Sequence, residues 1–235
     1  MSSQPSSSAQ GLSILRRVPL FASLSNGELE AVAASTRRRI FGKGVIIFHE
    51  GSPGETLYVI ESGKVRIFIL SESGHEMSVR IFGCGEIFGE LSVLDGLPRS
   101  DGAIAMEETH VLTLRRDDFQ SLLTQYPQMA LGIIAALSSR VRYTTDYAGT
   151  LAFLDVDGRV AKRLLELAAQ YGVQTAKGTE IGLRLTQGDL ASLVGATRER
   201  INKVLGSFRD EGLVELDGHK VTLLDPRELQ RKIVY

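Results

Sequence analysis

The chain has one cysteine, Cys84, in 235 residues. That excludes an intramolecular disulfide framework, a four-cysteine iron–sulfur cluster and an all-cysteine zinc site. No apolar run approaches the ~18–20 residues that a membrane span needs. The Ser/Gln-rich start, Met1–Gln10, lacks the basic and apolar segments of a signal peptide. Neither sign of charge dominates, since 27 Lys+Arg stand against 28 Asp+Glu; no whole-chain basic field announces a nucleic-acid binder. No glycine-rich loop ends in the Lys–Ser/Thr of a Walker motif, and no nucleophile–base pair or metal-ligand cluster is present. We therefore expect no enzyme, no catalytic residues, no metal, no membrane association, and a soluble cytoplasmic location. The four histidines, His49, His75, His110 and His219, read as ordinary strand or turn residues.

What is there divides into two textures. At 43% hydrophobic, the chain can fold into two modest domains. Eleven of its 24 glycines fall between Phe41 and Gly102. They punctuate β-like runs at Val45–Phe48, Thr56–Ile60, Val65–Leu70 and Met77–Phe82, with a further run at His110–Leu114. Short strands separated by frequent turns predict an all-β sandwich or barrel. A helix over Ser25–Ser35, capped by Ser25 or Asn26, precedes them. After Arg116 the pattern turns helical. Asp117 or Asp118 can cap Phe119–Thr124, and a long helix runs from beyond Pro127 to about Thr150. Its stripe Leu131, Ile134, Leu137 and Val141 can pack on its own domain or form a dimer seam. Phe153–Gly158 reads as a hinge. Arg159–Tyr171 is a helix closed by Gly172, Gly178–Leu185 is extended, and Asp217–Gly218 turns a terminal hairpin.

Between them, Leu185–Phe208 reads LTQGDLASLVGATRERINKVLGSF. Thr186 can cap a first helix with Asp189 three residues on, Gly195 suits a left-handed turn, and Thr197 can cap a second helix. Ile201, Val204, Leu205 and Phe208 step along one face of that second helix; Arg198, Glu199, Asn202 and Lys203 occupy the other. A recognition helix presents polar side chains in this way from its opening turns. An ordinary helical hairpin with a solvated charged face shows the same pattern, and the net charge of Thr186–Arg209 is only +2 (four bases, two acids).

A second constellation lies in GEIFGELSVLDGLPRSDGAIA, residues 85–105. Gly89 permits close backbone approach, and the following residues can form a short helical turn. Arg99 offers a planar fork of donors for phosphate oxygens, and Ser100 adds a hydroxyl. Glu90 repels phosphate and suits a sugar hydroxyl instead. The set asks for phosphate and ribose together; a surface loop with an Arg–Glu ion pair is the alternative.

On three motifs, FGELSVLDGLPRS, LAFLDVDGRVAKRLL and LTQGDLASLVGATRERINKVL, the sequence closely resembles the CRP/FNR family in its cyclic-AMP-receptor-like branch, over roughly Leu15 to Leu224. The resemblance implies an α+β architecture. A short disordered head (1–11) leads into a cyclic-nucleotide-binding β jelly roll (12–126), a dimerisation helix (127–152) and a winged helix-turn-helix (153–235). It implies a homodimer that answers to cAMP as allosteric effector, binds palindromic double-stranded DNA and meets RNA polymerase as a transcription regulator. Glu90 would take the ribose 2′-hydroxyl. Arg99 and Ser100 would hold the cyclic phosphate beside backbone at Gly89 and Leu91. Thr144 and the partner subunit's Thr145 would meet the adenine amino group, with Arg140 nearby. Thr186, Gln187, Thr197, Arg198, Glu199, Arg200 and Lys203 would face DNA. Three features depart from the family pattern. Thr145 stands where serine is common, the loop from Glu90 to Arg99 is one residue shorter than in the best-known member, and Lys203 replaces an arginine, which weakens bidentate base reading there. A constitutive member, a member with another effector, and a cyclic-nucleotide module acting on a protein partner are the remaining alternatives.

Overall fold

The computed structural model describes residues 7–72 and 74–234. In chain order it runs α1 (Ser7–Leu15), a 3-10 turn (Pro19–Phe21), α2 (Asn26–Ala34), β1 (Arg37–Phe41), β2 (Ile46–Phe48), β3 (Thr56–Ser62), β4 (Val65–Leu70), β5 (Glu76–Phe82), β6 (Ile87–Phe88), α3 (Glu90–Asp95), β7 (Gly102–Ala105), β8 (Thr109–Arg115), α4 (Arg116–Gln125) and α5 (Met129–Phe153). It continues with α6 (Val156–Tyr171), β9 (Gly172–Gln174), β10 (Thr179–Ile181), α7 (Gln187–Val194), α8 (Arg198–Asp210), β11 (Val214–Asp217), β12 (Lys220–Leu223) and α9 (Pro226–Arg231). The chain forms two compact units. The division falls inside α5 after Arg142, and the short piece 75–78 belongs to the second unit.

The first unit holds two four-stranded sheets, ordered β1-β8-β3-β6 and β2-β7-β4-β5. Successive side chains of a strand point to opposite faces, so an unbroken apolar run needs cover on both sides. Along β3, Leu57 and Val59 enter a core with α1, α2, α4 and the start of α5, while Tyr58 and Ile60 enter a second core with Phe48, Val65, Ile67, Phe82 and Phe88. Strand β8 repeats the division, with Leu112 and Leu114 on one side and Val111 on the other. The apolar stretches of β3 and β8 thus belong to sheet positions covered on both faces.

Several boundaries differ from the sequence reading. Of the expected disordered head, residues 1–6 lie outside the described residues, but residues 7–11 are helical in α1, whose far end anchors Ile14 and Leu15 in the core. Strand β1, with sequence RRRIF, shows no alternation because it is largely exposed; its pairing with β8, Arg39 opposite Val111, defines it. Strands β6, β7 and β9 are only two to four residues long, below what periodicity resolves. Ser25 is the N-cap of α2 and forms a reciprocal capping box with Glu28. Helix α4 begins earlier than expected, with Arg115 at its N-cap position; Asp117 and Asp118 sit in its first turn, where negative charge faces the positive helix end. The expected hinge shortens to Leu154–Asp155, since α5 runs on to Phe153 and Asp155 caps α6 through the amide of Gly158.

In the second unit, α6 buries Val160, Ala161, Leu164 and Leu167 against α7, α8 and α9. A sheet ordered β11-β12-β10-β9 completes the unit. Gly172 does follow α6, but with φ −73° and ψ 140° it is extended and leads directly into β9. The terminal hairpin turns at Gly218 and His219, because Asp217 still pairs with Lys220. Gly195, between α7 and α8, has φ +63°, and an added Cβ there would meet no atom closer than 3.5 Å. Gly195→Ala therefore costs about 1–2 kcal/mol through the left-handed backbone alone. This is measurable as a lower urea midpoint at unchanged slope; an unaltered midpoint contradicts it.

Candidate functional site

In the first unit, Gly89 takes φ +73° and opens α3. A Cβ on Gly89 would lie 2.6 Å from Arg99 Nη1, so the residue's bareness admits the guanidinium. Arg99 is only 4% exposed. Its Nη1 donates to the Gly89 carbonyl and its Nη2 to the Thr56 carbonyl, both at 2.6 Å. The guanidinium also lies 4.2 Å from the ring centroid of Phe48 and 5.8 Å from that of Tyr58. Those rings stack with Phe88, so the cation rests on an aromatic platform. Backbone bonds between Gly51 and Arg99 (2.8 Å) and between Arg99 and Ser52 (2.9 Å) tie the arginine's loop to the turn after β2. Arg99 Nε is buried with no hydrogen-bond partner among the described residues. Burial pulls the Arg99 pKa downward, against the pull of Tyr58 and Asp101.

One residue beyond Gly89, Glu90 is also 4% exposed. Its Oε1 accepts from Arg140 Nη1 on α5, while its Oε2 is buried without a partner among the described residues. Burial raises the carboxyl's pKa above its ordinary value, and the Arg140 charge opposes that rise. Arg140 lies over the Phe82 ring at 5.1 Å. Beside Glu90 and Arg140, a cavity of about 210 Å³ is lined by Leu20, Phe82, Ile87 and Ala136. Ser100 is exposed, and its hydroxyl donates to Asp101 Oδ2 at 3.0 Å. Leu91, beside Glu90, is half-buried at the start of α3. Gly89, Glu90, Leu91, Arg99 and Arg140 thus converge on one region of the first unit. Thr144 and Thr145 belong to the second unit, where both are exposed on α5.

Phe48, Tyr58, Asp101 and the Thr56 carbonyl also belong to this region, and motif reading missed them. Backbone carbonyls leave no trace in residue identity, and the aromatic rings read only as strand core. Asp101 had a visible signal, an acid directly after Ser100.

In the second unit, Thr186 and Asp189 form the expected capping box, with bonds of 3.0 and 2.8 Å. Thr197 accepts from the Arg200 amide at 3.2 Å and caps α8. Ile201, Val204, Leu205 and Phe208 are buried; Thr186, Gln187, Thr197, Arg198, Glu199, Asn202 and Lys203 are exposed. Arg200 is exposed too, but pairs with Asp157 of α6 at 2.5 Å. Two arginines unremarked in the sequence hold the turn. Arg159 donates to the Val194 carbonyl at 2.8 Å and to that of Gly195 at 3.3 Å. Arg163 donates to the Leu193 carbonyl at 3.3 Å and to the Tyr143 hydroxyl at 2.9 Å. Both complement the negative carboxyl end of α7.

Comparison with known proteins agrees with this division. Residues 38–126 match the cyclic nucleotide-binding domain and residues 158–232 the Crp-like helix-turn-helix domain. The chain is 36% identical over 219 residues to the CRP-like cAMP-activated global transcriptional regulator of Mycobacterium tuberculosis, covering 93% of this chain and 98% of that one. It is 35% identical over 198 residues to the cyclic AMP receptor protein of Thermus thermophilus, covering 84% and 88%. Among solved structures, the c-di-GMP-responsive global regulator CLP of Xanthomonas campestris superposes with a TM-score of 0.78 at 29% identity, covering 86% of this chain and all of that one. These domains and relatives are those of transcription regulators, not of enzymes. No described helix is long and apolar enough to cross a membrane. With a cyclic-nucleotide-binding domain joined to a DNA-binding helix-turn-helix, the chain belongs to the CRP/FNR family of transcription regulators.

Proposed function

We propose that this regulator takes cAMP as its effector and acts as a homodimer on palindromic operators, in partnership with RNA polymerase in the cytoplasm. The observation that carries the effector assignment is the placement of a buried carboxylate, Glu90, and a buried guanidinium, Arg99, both beside Gly89. One suits a ribose hydroxyl and the other a cyclic phosphate. Ser100 and the backbone at Gly89 and Leu91 supplement the phosphate contacts, and the family resemblance assigns Thr144 and Thr145 to the adenine amino group. The cAMP-linked names of the Mycobacterium and Thermus relatives support the same reading. The c-di-GMP-responsive neighbour makes c-di-GMP the competing ligand to test.

Dimerisation is supported by α5. Leu131, Ile134 and Val141 are 71%, 58% and 64% exposed, although their spacing puts them along one helical stripe. Leu137, from the same stripe, packs partly against the core. Two recognition helices related by a dimer axis would address half-sites about 34 Å apart. Arg198 can bond guanine O6 and N7 together, Glu199 can accept from cytosine N4, and Thr186, Gln187, Thr197 and Lys203 lie exposed for phosphate or base contact. Arg200 would reach a phosphate only by leaving Asp157.

Titration calorimetry of the intact protein against cAMP, cGMP and c-di-GMP tests the effector. We expect cAMP to bind best, and Arg99→Ala to weaken it by about a hundredfold or more while circular dichroism stays unchanged. Unchanged affinity in that variant refutes the site. In gel shifts with selected operator DNA, cAMP should strengthen the complex. Arg198→Ala should cost about 1–3 kcal/mol at one guanine of each half-site. Equal weakening on every sequence would make Arg198 a phosphate contact instead.

A further inference from the structure

We infer that Asp101 governs how tightly the nucleotide pocket holds an anion: its carboxylate claims the Ser100 hydroxyl and opposes the ligand's charge, so that a cyclic phosphate binds together with a proton. The inference rests on the cyclic-nucleotide reading above and adds a residue that neither the motifs nor the relatives assign.

A serine hydroxyl carries a single hydrogen. Ser100 directs its hydrogen to Asp101 Oδ2 at 3.0 Å, and the same hydrogen cannot also serve a phosphate oxygen. For Ser100 to join the phosphate contacts, Asp101 must release it.

Charge leads to the same requirement. From its own loop, Asp101 faces Arg99 and the Ser100 hydroxyl. It feels Arg140 from α5, Glu50 from the turn after β2, and Glu90 from the start of α3. Three carboxylates and two guanidiniums thus already act on one another here before any ligand arrives. A phosphodiester adds another negative charge to a half-buried site, where like charges disfavour joint ionisation. One carboxylate must then become neutral. Glu50 is exposed and keeps its hydration, and Glu90 accepts a charge-assisted bond from Arg140, whereas the hydrogen bond that half-buried Asp101 accepts comes from a neutral hydroxyl; Asp101 is therefore the carboxylate that takes the proton. Burial already raises its pKa, more than the nearby arginines lower it. Once protonated, Asp101 becomes a donor itself and frees Ser100 for the ligand.

The sign follows from linkage. Anion binding raises the Asp101 pKa further, so the ligand-bound protein holds the proton to higher pH than the free protein. The binding gain is fully present below the free-protein pKa and is lost as pH rises through the bound-state pKa.

The test is calorimetry of cAMP binding to the full chain at several pH values, in buffers of different ionisation heat. Wild-type protein should take up as much as about one proton per nucleotide, and its affinity should rise as pH falls, by at most about tenfold per unit. Asp101→Asn should bind cAMP about tenfold more tightly at neutral pH, with proton uptake and pH slope both strongly reduced. Asp101→Ala should behave alike, which separates the loss of charge from any feature of the amide. Weaker binding in both variants, or undiminished proton uptake, overturns the role of Asp101 and leaves the cyclic-nucleotide site standing. Wild-type protein that binds no cyclic nucleotide overturns the effector reading and this inference with it.

Discussion

Keeping an arginine and a glutamate almost entirely out of water, both beside Gly89, is the constraint around which the first unit is organised. A buried charge is tolerated only where fixed dipoles or counter-charges replace its hydration. For Arg99 those replacements are two backbone carbonyls and an aromatic platform. For Glu90 the replacement is a guanidinium on α5. Each partner has a cost elsewhere in the chain. Residue 89, which the guanidinium approaches, must be glycine in a left-handed conformation, and the strand bearing Thr56 must lie close enough to turn its carbonyl toward the arginine. The sandwich also has to present Phe48, Tyr58 and Phe88 as one stack. The atoms left over, Glu90 Oε2 and Arg99 Nε, are polar groups held in place before any ligand engages them. Such preorganisation lowers the ordering cost of binding.

The second unit solves a related problem with exposed rather than buried charge. Helix α8 offers Arg198, Glu199 and Lys203 to solvent and must still sit rigidly. Its rigidity comes from the opposite face, where Ile201, Val204, Leu205 and Phe208 are buried, and from the turn before it. Arg159 and Arg163 of α6 clamp the carbonyls that close α7. Arg163 in turn bonds Tyr143 on the second half of α5, and Lys162 reaches Asp146 and Thr150 on the same helix. The turn is therefore tied through α6 to that half of α5 by hydrogen bonds, several of them charge-assisted and stronger and more directional than apolar packing.

Legibility varied with how local the determining physics was. The helix-turn-helix could be read almost residue by residue. Thr186, Asp189, Gly195 and Thr197 act on backbone atoms four residues away at most, so their spacing is itself the structure. Strands β3, β4, β5 and β8 were legible for a similar reason, since their apolar runs are bounded by turn residues. Strand β1 was not. Its arginines carry no periodic signal, and only hydrogen bonding to β8, some seventy residues later, makes it a strand. The α4 cap was misplaced because an acid in the first turn and an acid at the N-cap look alike in sequence and differ only in backbone angles.

For the proposed nucleotide pocket, the amino-acid sequence by itself determined which chemical groups are available: a glycine, a carboxylate, a fork of donors and a hydroxyl, at spacings that one loop can gather. It also determined that the second helix of the carboxyl-terminal motif buries one face and exposes the other, because helical periodicity is a property of the chain alone. The tertiary structure decided how those groups are paired. That Arg140 turns to Glu90, that Arg99 rests on Phe48 and bonds the Thr56 carbonyl, and that Arg200 meets Asp157 are outcomes of strands and helices distant in sequence packing together. Pairing of charges depends on distance and burial, and neither exists until the chain has folded.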